Sequence, residues 1–244
     1  MQGLGNDFIV VDDVEMTSDL VRDLCDRRFG VGADGVLRVT EGPTMEYWNA
    51  DGGAAEMCGN GLRCVALYAR DRGMVSGEAF LIGTPVGDRG AVIVPDAVTV
   101  ELGQVSVGES VVFLDRDWVL VDVGNPHAVT WVDDLDQIDV AGVGSRMQEE
   151  FPNGVNVEFV TIDSSSRLNM RVWERGVGET LACGTGIVAA AAASIRHYGA
   201  ASEVEVVVPG GTAGVSLVDG VAHLSGPAEY VFEGVWNPLG PHGG

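Results

Sequence analysis

Lysine is absent from the 244 residues, so every basic side chain apart from the four histidines is one of 14 Arg. Without lysine there is no Schiff base to pyridoxal phosphate or to a carbonyl substrate, and no P-loop lysine to hold a nucleotide. Positive charge of any kind is scarce. Against 14 basic residues stand 36 acidic ones, a formal net charge of -22, so nucleic acid and anionic membrane surfaces would be repelled. The acidity suits a solvated surface tuned for solubility or for high salt. Cysteine is sparse too: Cys25, Cys58, Cys64 and Cys183 contain no C-x-x-C pair, so neither a zinc ribbon nor a disulfide scaffold is indicated, and no metal is expected. No basic segment followed by an apolar stretch opens the chain, and the longest small-apolar run, 187–195, is far too short for a bilayer. The expectation is a cytoplasmic protein with reduced thiols, no membrane contact and no nucleic-acid partner. With 46% hydrophobic residues it can bury one large core or two small ones.

What the chain does contain, it contains nearly twice. "AEMCGNGLRCVALYARDRG" sets Cys58 before a glycine-rich turn and an apolar run that stops at Gly73. "ETLACGTGIVAAAAASIRHYG" does the same from Cys183 to Gly199. Proline-free runs rich in Ala, Leu, Arg and Ile read as helices, each with a glycine suited to its C-terminal cap, so each cysteine should stand at a helix N-terminus. Upstream, Asn49 precedes Cys58 by nine residues and Glu174 precedes Cys183 by nine. "GNDF" carries Asn6 and "GNPH" carries Asn125 at comparable distances further back. Two copies of roughly 115 residues predict a pseudo-symmetric pair of domains.

Six β-branched runs read as strands: "DFIVVDD", "AVIVPDAVTVEL", "WVLVDVGNP", "VNVEFVTI", "LNMRVWE" and "SEVEVVVPGG". Two more helices are expected, at 19–28 and 145–151. The fold class is therefore α+β, with halves 1–112 and 113–244, each a mainly antiparallel sheet or barrel around a core helix. The two cysteine-bearing turns, and with them the functional site, are expected in the cleft between the halves. A last strand near 228–236 is expected to pack back on the first half, and the tail "NPLGPHGG" to fray.

Helix N-termini carry partial positive charge and free N–H groups, which hold carboxylates and favour thiolates; thiol pKa values there fall to ~3.5–7.5. Two such turns at one cleft could grip one carboxylate, with a thiolate on one face of the adjoining carbon and a thiol on the other. One sulfur then takes the α-proton while the other supplies a proton from behind, and the centre inverts. Asn6, Asn49, Asn125, Asn156, Glu174 and Arg175 suit a second amino-acid head group, and His127 could orient a thiol or relay a proton. A single Cys-Gly-x-Gly turn would be better read as a buried, inert cysteine, which remains the reading for Cys25 and Cys64. Two at matching places reverse that judgement. His197 and His223 are expected to be incidental, and His242 lies in the tail.

These residues resemble the diaminopimelate epimerases, cofactor-independent enzymes that use two cysteines. The resemblance rests on "GLGNDFIVVD", "RRFGVGADGVL", "NADGGAAEMCGNGLRC", "VGNPHAV", "FPNGVNVEFV", "RVWERGVGETLACGTG" and "VPGG", in the family's order and across nearly the whole chain. It implies that Cys58 and Cys183 exchange the proton, that backbone donors at Gly59, Asn60, Gly184 and Thr185 hold the carboxylate, and that the asparagines with Glu174 and Arg175 hold the rest of LL-diaminopimelate. It implies support from His127 and Glu174, meso-diaminopimelate as product, lysine biosynthesis as setting, and no cofactor. Some members have Asp-Gln where this chain has Asp34-Gly35, so that side-chain contact is missing here. Only Met1 and Gln2 precede "GLGNDF", so the first sheet is expected to lack an edge unless the natural start lies upstream. Phe232-Glu233-Gly234 replaces a Tyr-Asp-Gly common at a dimer contact, which leaves a homodimer as an expectation. Proline racemases use paired cysteines but typically carry Cys-Gly-His at the first turn, where Asn60 stands here; phenazine-biosynthesis isomerases share the fold without the cysteines. A non-catalytic amino-acid-binding protein, or a redox sensor joining Cys58 to Cys183, is the alternative of another class.

Overall fold

The computed structural model describes residues 1–151 and 153–237; the fraying expected of the tail, and His242 in it, lie outside the described residues. Two sheets and four helices make up the described chain, an α+β architecture. The first sheet takes β1 (Gln2–Gly3), β2 (Asn6–Val11), β3 (Gly35–Thr40), β4 (Thr44–Asn49) and β5 (Ala54–Ala55) in order, with α1 (Ser18–Cys25) crossing between β2 and β3. After α2 (Gly59–Asp71) come β6 (Ala79–Ile82), β7 (Arg89–Val94), β8 (Ala97–Gln104) and β9 (Ser106–Phe113). The remainder is β10 (Arg116–Asp122), β11 (Pro126–Trp131), α3 (Val140–Glu150), β12 (Asn156–Ser164), β13 (Arg167–Glu174), β14 (Gly178–Thr180), α4 (Gly184–Tyr198), β15 (Glu203–Val208), β16 (Gly211–Val218) and β17 (Val221–Gly226). The second sheet runs β6-β7-β8-β17-β16-β15-β13-β12-β11-β10-β9, and β14 pairs with β13.

The repeat is complete at the level of elements. β1-β2-α1-β3-β4-β5-α2-β6-β7-β8 matches β10-β11-α3-β12-β13-β14-α4-β15-β16-β17, with the same pairing senses: β2/β3 and β11/β12 parallel, β3/β4 and β12/β13 antiparallel. Only β9 is extra. The copies differ where β13 pairs in parallel with β15 over three residues, because the equivalent β4 and β6 meet through a single bridge, Thr44 to Gly83. Matched strands β8 and β17 pair antiparallel with each other, so one sheet runs through both halves, and residue 112 lies in β9, which pairs with β10. Each half wraps its strands around one buried helix, α2 or α4, and both helices share one apolar core.

Local chemistry explains where the helices begin and end. α1 stops at Cys25, three residues short of expectation, because the Asp26 carboxylate accepts from the N–H groups of Arg28 and Phe29 at 2.7 and 2.8 Å, an alternative to the helical ladder. α3 starts five residues earlier than expected. Gly142 and Gly144 hide it in the sequence, since glycine disfavours helix interiors. Asp139 caps it by accepting from Gly142 N–H at 2.9 Å, and Trp173 packs so closely that a Cβ at Gly144 would lie 2.4 Å from its ring. Packing overrides propensity there.

The first sheet does not lack its edge. β1 is two residues long, but Met1 O accepts from Phe8 N–H at 2.8 Å, and Gln2 exchanges both backbone bonds with Glu229 at 2.9 Å. Residues 227–237 form no strand beyond that bridge; Arg72 pairs with Glu233 at 3.0 Å, and Trp236 packs on the apolar cluster under α1. Between β1 and β2, Leu4 and Gly5 both have positive φ, 57° and 81°, as a two-residue hairpin turn demands. That backbone disfavours leucine. Burial of its side chain, 1% exposed, offsets the cost. The same turn abuts the second half: a Cβ at Gly5 would lie 2.8 Å from Leu181 Cδ1, and a Cβ at Gly210 would stand 1.9 Å from Leu4 O. Gly210→Ala should therefore force the halves apart and cost about 1–3 kcal/mol. Thermal unfolding measures it, and an unchanged melting temperature would refute this account of the seam.

Candidate active site

Cys58 and Cys183 are the N-cap residues of α2 and α4, both in extended backbone, as the sequence predicts. The two helix ends meet. A Cβ on Gly184 would lie 3.2 Å from Gly59 Cα and 3.3 Å from Asn60 N, and Asn60 Nδ2 donates to Ala182 O at 3.3 Å across the seam. A side chain at 184 would wedge the helices apart, so this glycine lets the N–H ends converge, whereas a Cβ on Gly59 would press on Leu102 and Leu224 at 3.3 and 3.2 Å. Gly61 N–H donates to Cys58 Sγ at 3.4 Å, while Cys183 Sγ lies 3.5 Å from Thr185 Oγ1.

Each cysteine has its own polar backing. On the first side Arg27 bridges Asp7 and Asp34 at 2.7 and 2.8 Å, and Asp34 accepts from Asn6 Nδ2 at 2.7 Å. That leaves Asn6 Oδ1 facing Asn60 Nδ2 at 3.3 Å and Cys58 Sγ at 3.9 Å. On the second side a hydrogen-bonded chain runs out of the core. Glu158 Oε1 lies 2.7 Å from His127 Nδ1, His127 Nε2 3.0 Å from Asn125 Oδ1, and Asn125 Nδ2 3.3 Å from Thr185 Oγ1, which touches Cys183. His127 and Glu158 are fully buried side chains paired on β11 and β12. Asn156, beside His127 in the parallel register, donates to Pro126 O at 3.2 Å and accepts from Arg175 N–H at 2.9 Å.

Glu174 ends β13 close to Cys183, accepting from Thr180 Oγ1 and from the Cys183 thiol. Two other expected residues are less engaged. Asn49 ends β4 exposed, its side chain without a hydrogen bond among the described residues, and Arg175 is exposed with its guanidinium on Asn153 O at 3.0 Å. Cys25 and Cys64 are packing residues, 5% and 0% exposed. His197 contacts Gly108 O on β9 instead of the cleft.

Sequence reasoning missed Glu158, Thr180 and Arg63. A charge in the middle of the β-branched run "VNVEFV" was the available signal for Glu158. Arg63 is fully buried on α2 and donates to Asn60 Oδ1 at 3.0 Å and Pro227 O at 3.3 Å, so it orients the Asn60 amide. In sequence it looks like any helix-surface arginine.

The electrostatics differ from the expectation of depressed thiol pKa values. Burial pushes Cys58 up to about 11, aided by the Glu174 carboxylate and opposed by Gly61 N–H and the Arg63 charge. Burial also carries Cys183 well above its ordinary value, with Glu174 and Glu158 adding to it. The Glu174 carboxyl itself is raised by burial. Helix-terminal N–H groups lower a thiol pKa only when desolvation does not outweigh them.

A model for diaminopimelate epimerase matches residues 1–108 and 119–231. The chain belongs to the diaminopimelate epimerase family. It is 40% identical to a diaminopimelate epimerase of Mycolicibacterium smegmatis over 97% of this chain and 95% of the relative, and 43% identical to one of Thermobifida fusca over 95% and 94%. Among solved structures it resembles a Bacillus anthracis phenazine biosynthesis protein, with TM-score 0.69, 16% identity and coverage of 93% and 92%. A hydroxyproline epimerase from Agrobacterium vitis gives TM-score 0.65, 16% identity and coverage of 93% and 86%. Those two likenesses show the fold alone. Family membership makes the chain an isomerase.

The raised thiols yield a test with a fixed sign. Folded Cys58 keeps its proton up to about 11, whereas an unperturbed thiol loses it near 9.0, so its contribution to stability is complete below pH 9 and is lost as pH rises through 11. Iodoacetamide alkylation, followed on the Cys58 peptide by mass spectrometry, should still be accelerating between about pH 8 and pH 10, because the thiolate is the nucleophile. A rate that levels off below pH 8 would mean that the helix terminus wins over burial.

Proposed function

We propose that this chain interconverts LL-diaminopimelate and meso-diaminopimelate by moving protons between the substrate α-carbon and two thiols, Cys58 and Cys183. The observation that carries the reading is the contact between two cysteine-capped helix ends across the seam of a repeated fold. A pocket built this way offers matched groups from opposite sides and N–H donors from both helices.

Backbone N–H groups at Gly59-Asn60 and Gly184-Thr185 hold the carboxylate at the reacting centre. One sulfur, as thiolate, takes the α-proton and becomes a thiol; the other, as thiol, gives its proton to the opposite face and becomes a thiolate. Bonds and charge balance, and the pair is left with its roles exchanged. The helix-end donors stabilise the enolate-like transition state, which forms where water is excluded. Burial that discourages ionisation also makes any thiolate formed a stronger base, which suits a weakly acidic C–H. His127, held by Glu158, fixes Asn125 and Thr185 beside Cys183, and Glu174 orients the Cys183 thiol. Asn6, Asn49, Asn125, Asn156, Glu174 and Arg175 hold the remainder of the substrate. No cofactor takes part.

The setting we infer is lysine biosynthesis in the cytoplasm, with halves 1–112 and 113–244 closing on the substrate. Among the described residues no helix is long and apolar enough to cross a membrane. Exposed Phe232 and Val235, 65% and 90% accessible, favour a homodimer through that segment.

Reduced protein in heavy water should place deuterium at the α-carbon of LL-diaminopimelate; no uptake would sink the proposal. Cys58→Ala and Cys183→Ala should each lower epimerisation by about 10³-fold or more with the fold retained, since each removes one acid–base partner. Near-normal turnover by either variant would overturn the two-thiol mechanism.

A further inference from the structure

The internal repeat exposes a polar group that the site residues above do not include. Phe8 faces Gly35 across β2 and β3, as His127 faces Asn156 across β11 and β12. Gly35 is thus the counterpart of Asn156, and the first half has no side chain where the second carries an amide. Tyr47 fills the vacancy. From β4 it pairs with Leu37 of β3, and its ring leans over Gly35 so closely that a Cβ there would stand 2.6 Å from Tyr47 Cε2 and 2.5 Å from Trp48 O. An edge-on contact with Phe8, with ring centroids 6.0 Å apart and planes at 77°, fixes the ring from the other side.

These contacts hold the ring and leave its hydroxyl free. Tyr47 is 9% exposed, yet no group among the described residues hydrogen-bonds its Oη. Nor is that oxygen among the polar atoms sealed in the interior without a partner, so it is in reach of water. A tyrosine this buried ordinarily has a partner for its hydroxyl. The ionisable groups around it are Cys58, Glu174, Asp34 and, at the end of α1, Cys25, the first three belonging to the cleft. Burial, followed by these neighbours, holds the phenol far above its ordinary pKa, so it stays a donor. Asn49, two residues along the same strand, points to the same side.

We propose that Tyr47 is a substrate-binding residue whose hydroxyl donates a hydrogen bond to the carboxylate at the non-reacting end of the bound diamino dicarboxylic acid. This rests on the reading under Proposed function. A carboxylate is the fitting partner because the two ammonium groups of such a substrate are donors only, and Asp34 and Glu174 already supply acceptors nearby.

Tyr47→Phe isolates the hydroxyl, since the ring that covers Gly35 and meets Phe8 is kept. The melting temperature should match that of the parent protein. KM for LL-diaminopimelate should rise about 10- to 100-fold with kcat within about threefold, the pattern of an interaction made equally in ground and transition states. KM within twofold of the parent, or a loss confined to kcat, would overturn the assignment. Parent protein in the same assay keeps this outcome apart from failure of the epimerase reading, which would leave both proteins inactive.

Discussion

Everything in the cleft depends on two helix N-termini approaching until Gly184 stands within van der Waals reach of Gly59 and Asn60. Helix ends that each carry partial positive charge and unpaired N–H groups repel one another, and neither gains by leaving water. The approach is imposed from outside, by strands wrapped on α2 and α4, by the β8–β17 pairing that makes one sheet of both halves, and by Leu4 wedged under Gly210. Such an arrangement stores unsatisfied donors at one point. An anion placed between the helix ends would satisfy both sets, which is the physical basis of the carboxylate binding proposed above.

The same enclosure sets the behaviour of the thiols. Partial charges at a helix end favour a thiolate, but desolvation disfavours it more in a site this closed, and the neighbouring Glu174 adds to the penalty on both sulfurs. Sequence alone carries the first effect, since the N-cap position is written in Cys-Gly-x-Gly. It does not carry the second, which depends on strands and carboxylates brought in from remote parts of the chain.

That division runs through the whole molecule. The repeat, the helices behind each cysteine and the α+β class were legible because they are local patterns stated twice. α3 was legible only in its second half, because its glycines serve Trp173 and not the helix itself. Among site residues, the cysteines and the Asn6 and Asn125 positions announce themselves in glycine-rich turns. Glu158 and Arg63 do not, because a buried charge looks like a surface charge until its surroundings are known. Tyr47 is hidden in a different way: its meaning comes from Gly35 on the next strand and from Asn156 in the other half.

Comparison of the halves also shows where symmetry ends. Gly61 and Gly186 each stand three residues after a cysteine, and each would collide with a side chain beneath its helix if it carried a Cβ. In the first half that side chain is Leu37, 2.9 Å away; in the second it is the carboxylate of Glu158, 2.7 Å away. Phe8 likewise stands where the second half has His127. An apolar pair thus underlies Cys58 and an ionisable pair underlies Cys183, although the backbone around the two is the same. The Glu174 carboxylate bears on both sulfurs; Cys58 has in addition the Arg63 guanidinium to offset it, and Cys183 has the Glu158 carboxylate to add to it. A repeated backbone brings two cysteine-capped helix ends together, and the unequal side chains beneath them give the two sulfurs different surroundings.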